Sequence, residues 1–513
     1  MTPIKNLATE KRYLYMIILS YAISFGLSLV TSGLFWDDWV WADRNLDFFR
    51  TIGSEMGMIW FQYWAYFVNS HIILGKLLVF FLNLANGLLI YKMMKKHFTA
   101  ESSFIITLFF LVIPVNYGRT VLCVSQYSLS LFLFLVAFYL VLLNFSGNRL
   151  IVRIIALLLF FLSFEMSSLL SLYVVVALYV WWQGSRFKNF WHTVVKYLDF
   201  IGIAMLYAFL KTFVLSTSGN YEGYNSFDTT AILISPLKII QIIYYVTINL
   251  AHSITSYAFT VPAIIVLLPV VYIYVFHPMN LDEIDLKDTY ILPLSFILLV
   301  FGALPYAIAD KTPNLTNWDS RHAILLAPGI SFFIYGILTK LKAYFTSIVF
   351  IKILLSIFFI SCIIFNFSVG RELLYKNHKQ QALQILLNNE VIRNNHTFLF
   401  NDQSIPNNIL ISGTIDSFYI FSSMFHKIYG DESRLMISDS TQYEKIKQNA
   451  LTYSHLRTTG WIEEPITHTL TLSMHHKYGP VDEFKLLIYS LFNKTKYRNL
   501  LMDIYFIEVS LIS

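Results

Sequence analysis

Two adjacent carboxylates, Asp37 and Asp38, stand inside an aromatic run, Leu34-Phe35-Trp36-Asp37-Asp38-Trp39-Val40-Trp41, directly after the first long apolar stretch. Neighbouring acids are costly where water thins out, because desolvation and mutual repulsion both oppose ionisation. Trp and Tyr favour the membrane–water boundary, which puts the pair at the edge of a bilayer. Further along, Arg119, Glu165, Lys311, Arg321 and His322 fall at the ends of apolar runs rather than inside them. Acids and cations gathered at one mouth of a helical bundle suit one kind of reaction. A carboxylate removes a proton from an acceptor, and cations stabilise a departing anion.

The elements that must position these residues are membrane spans. The chain has 513 residues, 56% hydrophobic and 13% charged, where an ordinary soluble domain has ~25% charged. With a mean hydropathy of +0.59, it reads as a mainly α, polytopic transmembrane helical bundle. The first apolar run lacks a small-residue cleavage site and is long enough to stay as an anchor. The net charge of +6 says little by itself, and no nucleic-acid partner is expected. Cys123 and Cys362 can form neither a disulfide framework nor a cysteine-rich metal site.

Lys5, Lys11 and Arg12 precede the first span, 13–31, and by the positive-inside rule keep the N-terminus in the cytoplasm. The acidic pair then emerges outside. The aromatic segment 59–64 reads as an interfacial helix. Further spans are expected at 72–91, 103–115, 126–144, 151–164, 168–182, 197–215, 258–276, 291–309, 323–339 and 345–367, about eleven in all. Lys92, Lys95, Lys96, Arg149, Arg153, Arg186, Lys188 and Lys196 then fall on the cytoplasmic side. Residues 236–256 are interrupted by Pro236, Lys238, Gln241, Asn249 and His252 and are assigned to the outer surface by parity; if they span, every later side inverts. That assignment leaves Asp282-Glu283-Ile284-Asp285 inside, which acids tolerate because they contribute little to orientation.

From 368 the spans cease, giving two domains: a transmembrane one, 1–367, and a small α/β extramembrane one, 368–513, external on this parity. Residues 371–393 show helical periodicity, and Thr397-Phe398-Leu399-Phe400 reads as a strand entering a turn at Asn401-Asp402. His468, His475 and His476 sit in this polar tail and are read as surface residues.

The loop Phe35-Trp36-Asp37-Asp38, with Ala42 and Asn45 downstream, resembles the first external loop of GT-C-fold glycosyltransferases. The stretch Pro114 to Leu140, with Val121, Ser125, Leu129, Phe132 and Ala137, is similar to the third-to-fourth span connection of that superfamily. Ser163-Phe164-Glu165-Met166-Ser167 resembles its short acidic segment, although Phe164 replaces the usual lysine. Asn317-Trp318-Asp319-Ser320-Arg321-His322 resembles the external arginine loop of bacterial lipid-linked sugar transferases. The likeness covers residues 30–185 and 310–322, and the tail lacks a TPR-like pattern.

The resemblance implies a polyprenyl-phosphate-linked sugar as donor, a glycan, lipid or protein hydroxyl as acceptor, and work at the external face of a bacterial inner or plasma membrane. An isoprenoid tail, at ~0.8 kcal/mol per buried CH₂, does not leave the bilayer, so the enzyme must meet the phosphate at its surface. By this likeness Asp37 or Asp38 is the general base, with Asp37 favoured because the resemblance places the first carboxylate there and Asp38 orienting it or holding a divalent cation (Mg or Mn), and Glu165 belongs to the catalytic acids. Arg321 meets the donor phosphate through its two-pronged fork, backed by Arg119, Lys311 and His322. Each role has a plainer rival. Asp38 and Glu165 can cap the helices that follow them, Arg321 can anchor a span end, and His322 can serve packing. A transporter or lipid-linked-sugar flippase is the competing class, although such proteins place charges near the midplane and show two similar halves. A polymerase or ligase would share the donor and accept a whole glycan.

Overall fold

The computed structural model describes residues 3–511 apart from 31–32, 145–148, 186–194, 196, 223–228, 256–259, 280–289, 313–317, 346, 405–416, 449–460 and 477. The acidic loop at 282–285, the cations Arg186, Lys188 and Lys196, and Asn317 lie outside the described residues. The chain is mainly helical and divides into two compact units. The first comprises Met1–Gly26, Leu46–Val68 and Leu74–Phe367; the second joins Leu27–Asn45 and Asn69–Ile73 to Ser368–Ser513.

In the first unit, helices Ile72–Met94, Ser125–Leu143 and Ile291–Ile308 are long and apolar enough to cross a membrane, as is Ile348–Leu386, which continues into the second unit. Shorter apolar helices occupy Ala100–Val112, Leu150–Ser163, Leu169–Val180, Leu233–Ile248 and Pro262–Phe276. In lipid, where no hydrophobic force draws apolar helices together, close packing and buried hydrogen bonds must do so. Asn83 Nδ2 donates to Ser128 Oγ at 2.9 Å, and Asn86 Nδ2 to the Ser128 carbonyl at 3.2 Å, joining the helices Ile72–Met94 and Ser125–Asn144. Gly329 lets the helix Leu326–Tyr344 approach Ile291–Ile308, since a Cβ there would lie 2.8 Å from the Leu299 backbone nitrogen. Residues 236–255 belong to one helix, Thr229–Thr255, which has Pro236 inside it and packs along Ile291–Ile308. Its apolar part, Leu233–Ile248, is shorter than the ~20 residues of a typical span.

The second unit is an α/β layer. Strands β1 (Thr397–Asp402), β2 (Leu435–Ile437), β3 (His468–Met474) and β4 (Tyr505–Leu511) form one sheet in the order β2-β1-β3-β4. β1 runs parallel to both β2 and β3, and β4 is antiparallel to β3. The strand expected at 397–400 is present and carries on through Asn401 and Asp402, because pairing with β3 extends to Asp402↔Leu472. Phe398, Phe400, Leu470 and Leu472 point to a core completed by Phe421, Phe425, Leu486 and Leu501. Leu399 faces the other way, toward Leu435, Ile437 and Ile446, as the two-residue repeat of a strand requires.

Helix Ile348–Leu386 runs unbroken past residue 367 because Ser368-Val369-Gly370 holds no proline to stop it. Its later part is not solvated. Arg371, Tyr375 and Lys379, spaced i, i+4, i+8 on one face, each meet a partner in the second unit. Arg371 binds Glu483 with both prongs at 2.6 and 2.7 Å, Tyr375 donates to the Ser404 carbonyl, and Lys379 pairs with Asp402.

Candidate functional site

The seven residues singled out from the sequence divide between the units: Arg119, Glu165, Lys311, Arg321 and His322 lie in the first, Asp37 and Asp38 in the second.

The acidic pair sits on a short helix, Asp38–Trp41, bracketed by two residues in the left-handed region, Trp36 (φ 49°) and Asp43 (φ 60°). For a residue as bulky as Trp this conformation is an outlier, costing ~1–3 kcal/mol, and it persists only where the surroundings enforce it. Here they do. Leu34, Trp39 and Ala42 are embedded in the same core as Phe398 and Phe421, and the Lys376 ammonium stands 5.8 Å from the Trp36 ring. Gly33 lies so close to Asn377 that a Cβ would come within 2.6 Å of its Oδ1. Lys427 covers Trp39 at 5.8 Å, and Arg44 pairs with Glu432 at 3.4 Å. The two acids differ in consequence. Asp38 is fully buried and its Oδ2 accepts from the Phe35 N–H at 3.3 Å, a bond back into the turn rather than forward to the helix. Asp37 occupies the N-cap position without a side-chain capping bond and is only partly buried. Its carboxylate is the more accessible of the two, on a turn that fixes its direction. Among the described residues no group of three or more His, Cys, Asp or Glu side chains converges, so a cation on the pair would draw its other ligands from substrate or water.

In the first unit, two loops far apart in sequence dock on each other. Ser320 Oγ accepts from the backbone N–H of both Tyr117 and Gly118, each at 3.1 Å, joining the turn Gly118–Thr120 to the turn Trp318–Ala323. Arg119 and Arg321 thereby lie on adjoining turns. Arg119 is held by the Asn116 carbonyl at 2.7 Å and the Leu111 carbonyl at 3.1 Å, with its guanidinium 4.4 Å from the Phe25 ring centre. These contacts fix the Arg119 side chain against its own turn. Burial, with Arg321 and Lys311 adding to it, pushes His322 down to about 3, so its ring stays neutral at physiological pH beside Tyr306 at 5.3 Å. Replacing Ser320 by Ala strips both buried N–H groups of their acceptor and is expected to lower stability by ~1–3 kcal/mol. Thermal unfolding in detergent measures it, and an unchanged midpoint would contradict the docking.

Glu165 does something the sequence did not disclose. Its Oε1 accepts from the Ile59 N–H at 2.6 Å, at the entry to helix Phe61–Ser70, while Trp60 Nε1 donates to the Leu162 carbonyl at 3.1 Å. Across the same turn, Lys211 Nζ donates to the carbonyls of Met56 and Gly57, each at 2.8 Å. A carboxylate therefore takes the N–H side of residues 56–60 and an ammonium the carbonyl side. Glu165 caps a helix 106 positions away, not the one that follows it. Lys211 was visible only as a charge near the end of an apolar run.

Burial raises the Glu165 carboxyl above its ordinary value, opposed by the Ile59 and Trp60 N–H bonds and by Lys211. A raised folded value favours the protonated form in the fold. That stability is fully present below the unfolded value and is lost as pH rises through the folded one. Amide protection over residues 56–60, relative to intrinsic exchange, is expected to fall across that window in the wild type and to stay flat in Glu165→Gln. Parallel profiles would exclude Glu165 as the titrating group.

No family model, curated protein or solved structure matches this chain.

The tail histidines take ordinary roles: His475 stacks on Phe506 at 4.3 Å, and His476 lies 3.5 Å from Asp482. Lys376, Asn377, Lys211 and Ser320 are the positioning residues that sequence reasoning missed. Ser320 lies in the loop 317–322, Lys376 and Asn377 in the periodic stretch 371–393 and Lys211 in the apolar run 197–215, and nothing local marks the partner that any of them meets.

Proposed function

We propose that this chain is a multi-pass membrane glycosyltransferase that moves a sugar from a polyprenyl-phosphate donor to a hydroxyl acceptor at the external membrane face. The observation that carries the reading is the Asp37-Asp38 turn. Backbone strain at Trp36 is retained there, and a partly exposed carboxylate stands beside a fully buried one. Strain of this kind collects at working sites, where a fixed direction matters more than local comfort.

In this reading Asp37 takes the proton from the acceptor hydroxyl, and Asp38 orients the turn or shares a divalent cation. The acceptor oxygen forms its bond to the anomeric carbon as the carbon–oxygen bond to phosphate breaks. The configuration inverts, and polyprenyl phosphate departs with the electron pair. The cation that meets the departing phosphate is carried by the sequence resemblance alone, which gives that role to Arg321, whose planar fork matches two oxygens. The topology that accompanies it has about eleven crossings, a cytoplasmic N-terminus and an external C-terminal unit. Long apolar helices and the cytoplasmic Lys and Arg of the sequence support the membrane setting.

The test is reconstitution of the full chain in vesicles holding a polyprenyl-phosphate sugar labelled in the sugar, with hydroxyl acceptors supplied outside. Label in the acceptor, with free polyprenyl phosphate, is expected. Movement of intact labelled lipid between leaflets without cleavage would replace the transferase by a flippase.

A further inference from the structure

Helix Pro480–Phe492 of the second unit leaves an apolar stripe uncovered. Val481, Phe484, Leu491 and Phe492 are 64, 66, 52 and 79% exposed, and their spacing sets them along one side of a helix. The opposite side is fixed: Leu486 is fully buried, and the first turn is capped by Asp482, which accepts from the Gly479 N–H at 3.1 Å. Bare Phe and Leu side chains on a rigid helix demand a partner. Lys485 is exposed on the same helix, and Lys496 of the following helix, Lys494–Ile504, stands 5.8 Å from the Tyr489 ring, with Lys494 and Arg498 exposed on that helix too. An apolar face with Lys and Arg close by is the pattern of a helix lying in a lipid interface.

The long helix sets the height. Its apolar run ends at Phe367, and Arg371 follows four residues later, ~6 Å further along the axis at 1.5 Å per residue. The headgroup layer on each side of a bilayer is ~5–8 Å deep. The bidentate Arg371–Glu483 pair ties helix Pro480–Phe492 to the long helix one turn beyond the end of its apolar run.

We infer that Pro480–Phe492 is an interfacial anchor, laying its apolar stripe into the membrane that Ile348–Leu386 enters while these cations meet anionic headgroups. It rests on the long helix being a span, and it is independent of the transferase chemistry. Such an anchor holds the extramembrane unit against the bilayer, where a lipid-linked substrate would present its headgroup.

The full chain carrying Phe484→Cys, labelled with an environment-sensitive fluorophore, is placed in nanodiscs of phosphatidylcholine and phosphatidylglycerol. Cys123 and Cys362 are buried and escape the label. Doxyl-labelled lipid is expected to quench the probe at 484 several-fold more than a probe at the exposed Glu444, and removing phosphatidylglycerol is expected to weaken the quenching. Equal quenching at 484 and 444 overturns the anchor. So does cross-linking of the thiol introduced at 484 to a second copy without lipid quenching, which makes the stripe a protein interface. Failure of the unsubstituted chain to enter nanodiscs would remove the span itself.

Discussion

On the proposed reading, Asp37→Asn is expected to reduce sugar transfer by ~10²–10⁴-fold, the usual contribution of a positioned general base, while leaving the fold intact. Asn keeps the size of the side chain and one acceptor oxygen while losing the charge and the basicity, and Asp37 makes no side-chain capping bond to the short helix. Asp38 separates the roles. Asp38→Ala removes the acceptor for the Phe35 N–H inside a closed core and should lower stability by ~1–3 kcal/mol along with activity. Asp38→Asn retains an oxygen for that bond and should recover most of the stability. Full transfer by both Asn variants would sink the acid-pair reading, whatever the outcome for the membrane topology.

The second large effect concerns the floor beneath the acidic turn. The Lys379 side chain is 0% exposed and pairs with Asp402, whose Oδ1 also accepts from the Ser404 N–H at 3.1 Å and the Ser404 hydroxyl at 2.8 Å. This knot pins the long helix to the carboxyl end of β1, at the strand flanked by β2 on one side and β3 on the other. Lys379→Met leaves a buried carboxylate without its counter-charge and is expected to cost ~3–5 kcal/mol. Adding Asp402→Leu should restore much of that, because two apolar groups have no unmet charge. Denaturant unfolding of the full chain, read by amide exchange in β1, β2 and β3, measures both. Neighbouring residues Lys376 and Asn377 contact the acidic turn from the same helix, so the single variant should also loosen residues 33–42. A Lys379→Met protein as stable as the wild type would show that the pair contributes nothing net.

The sequence by itself determined a mainly helical chain with apolar segments long enough to cross a membrane, the α/β tail and the strand at 397–400. Hydropathy and periodicity are local, and a helix or strand registers them within a window of a few turns. It also drew attention to an acidic pair among aromatics, an acid between two apolar runs, and an arginine in a polar loop. Their company was decided by tertiary structure alone. Nothing local tells residues 27–45 to fold with a unit that resumes at 368, since that depends on Leu34, Trp39 and Ala42 finding a cavity among Phe398, Phe421 and Phe425. Nor does local sequence show that Glu165 caps a helix 106 residues away, or that Ser320 holds the turn bearing Arg119. Those bonds satisfy polar groups buried by long-range packing, and a buried N–H accepts whichever oxygen the fold brings to it. The acidic pair stood out in the sequence by its residue types, whereas the backbone strain at Trp36 became visible only once the core around it had closed.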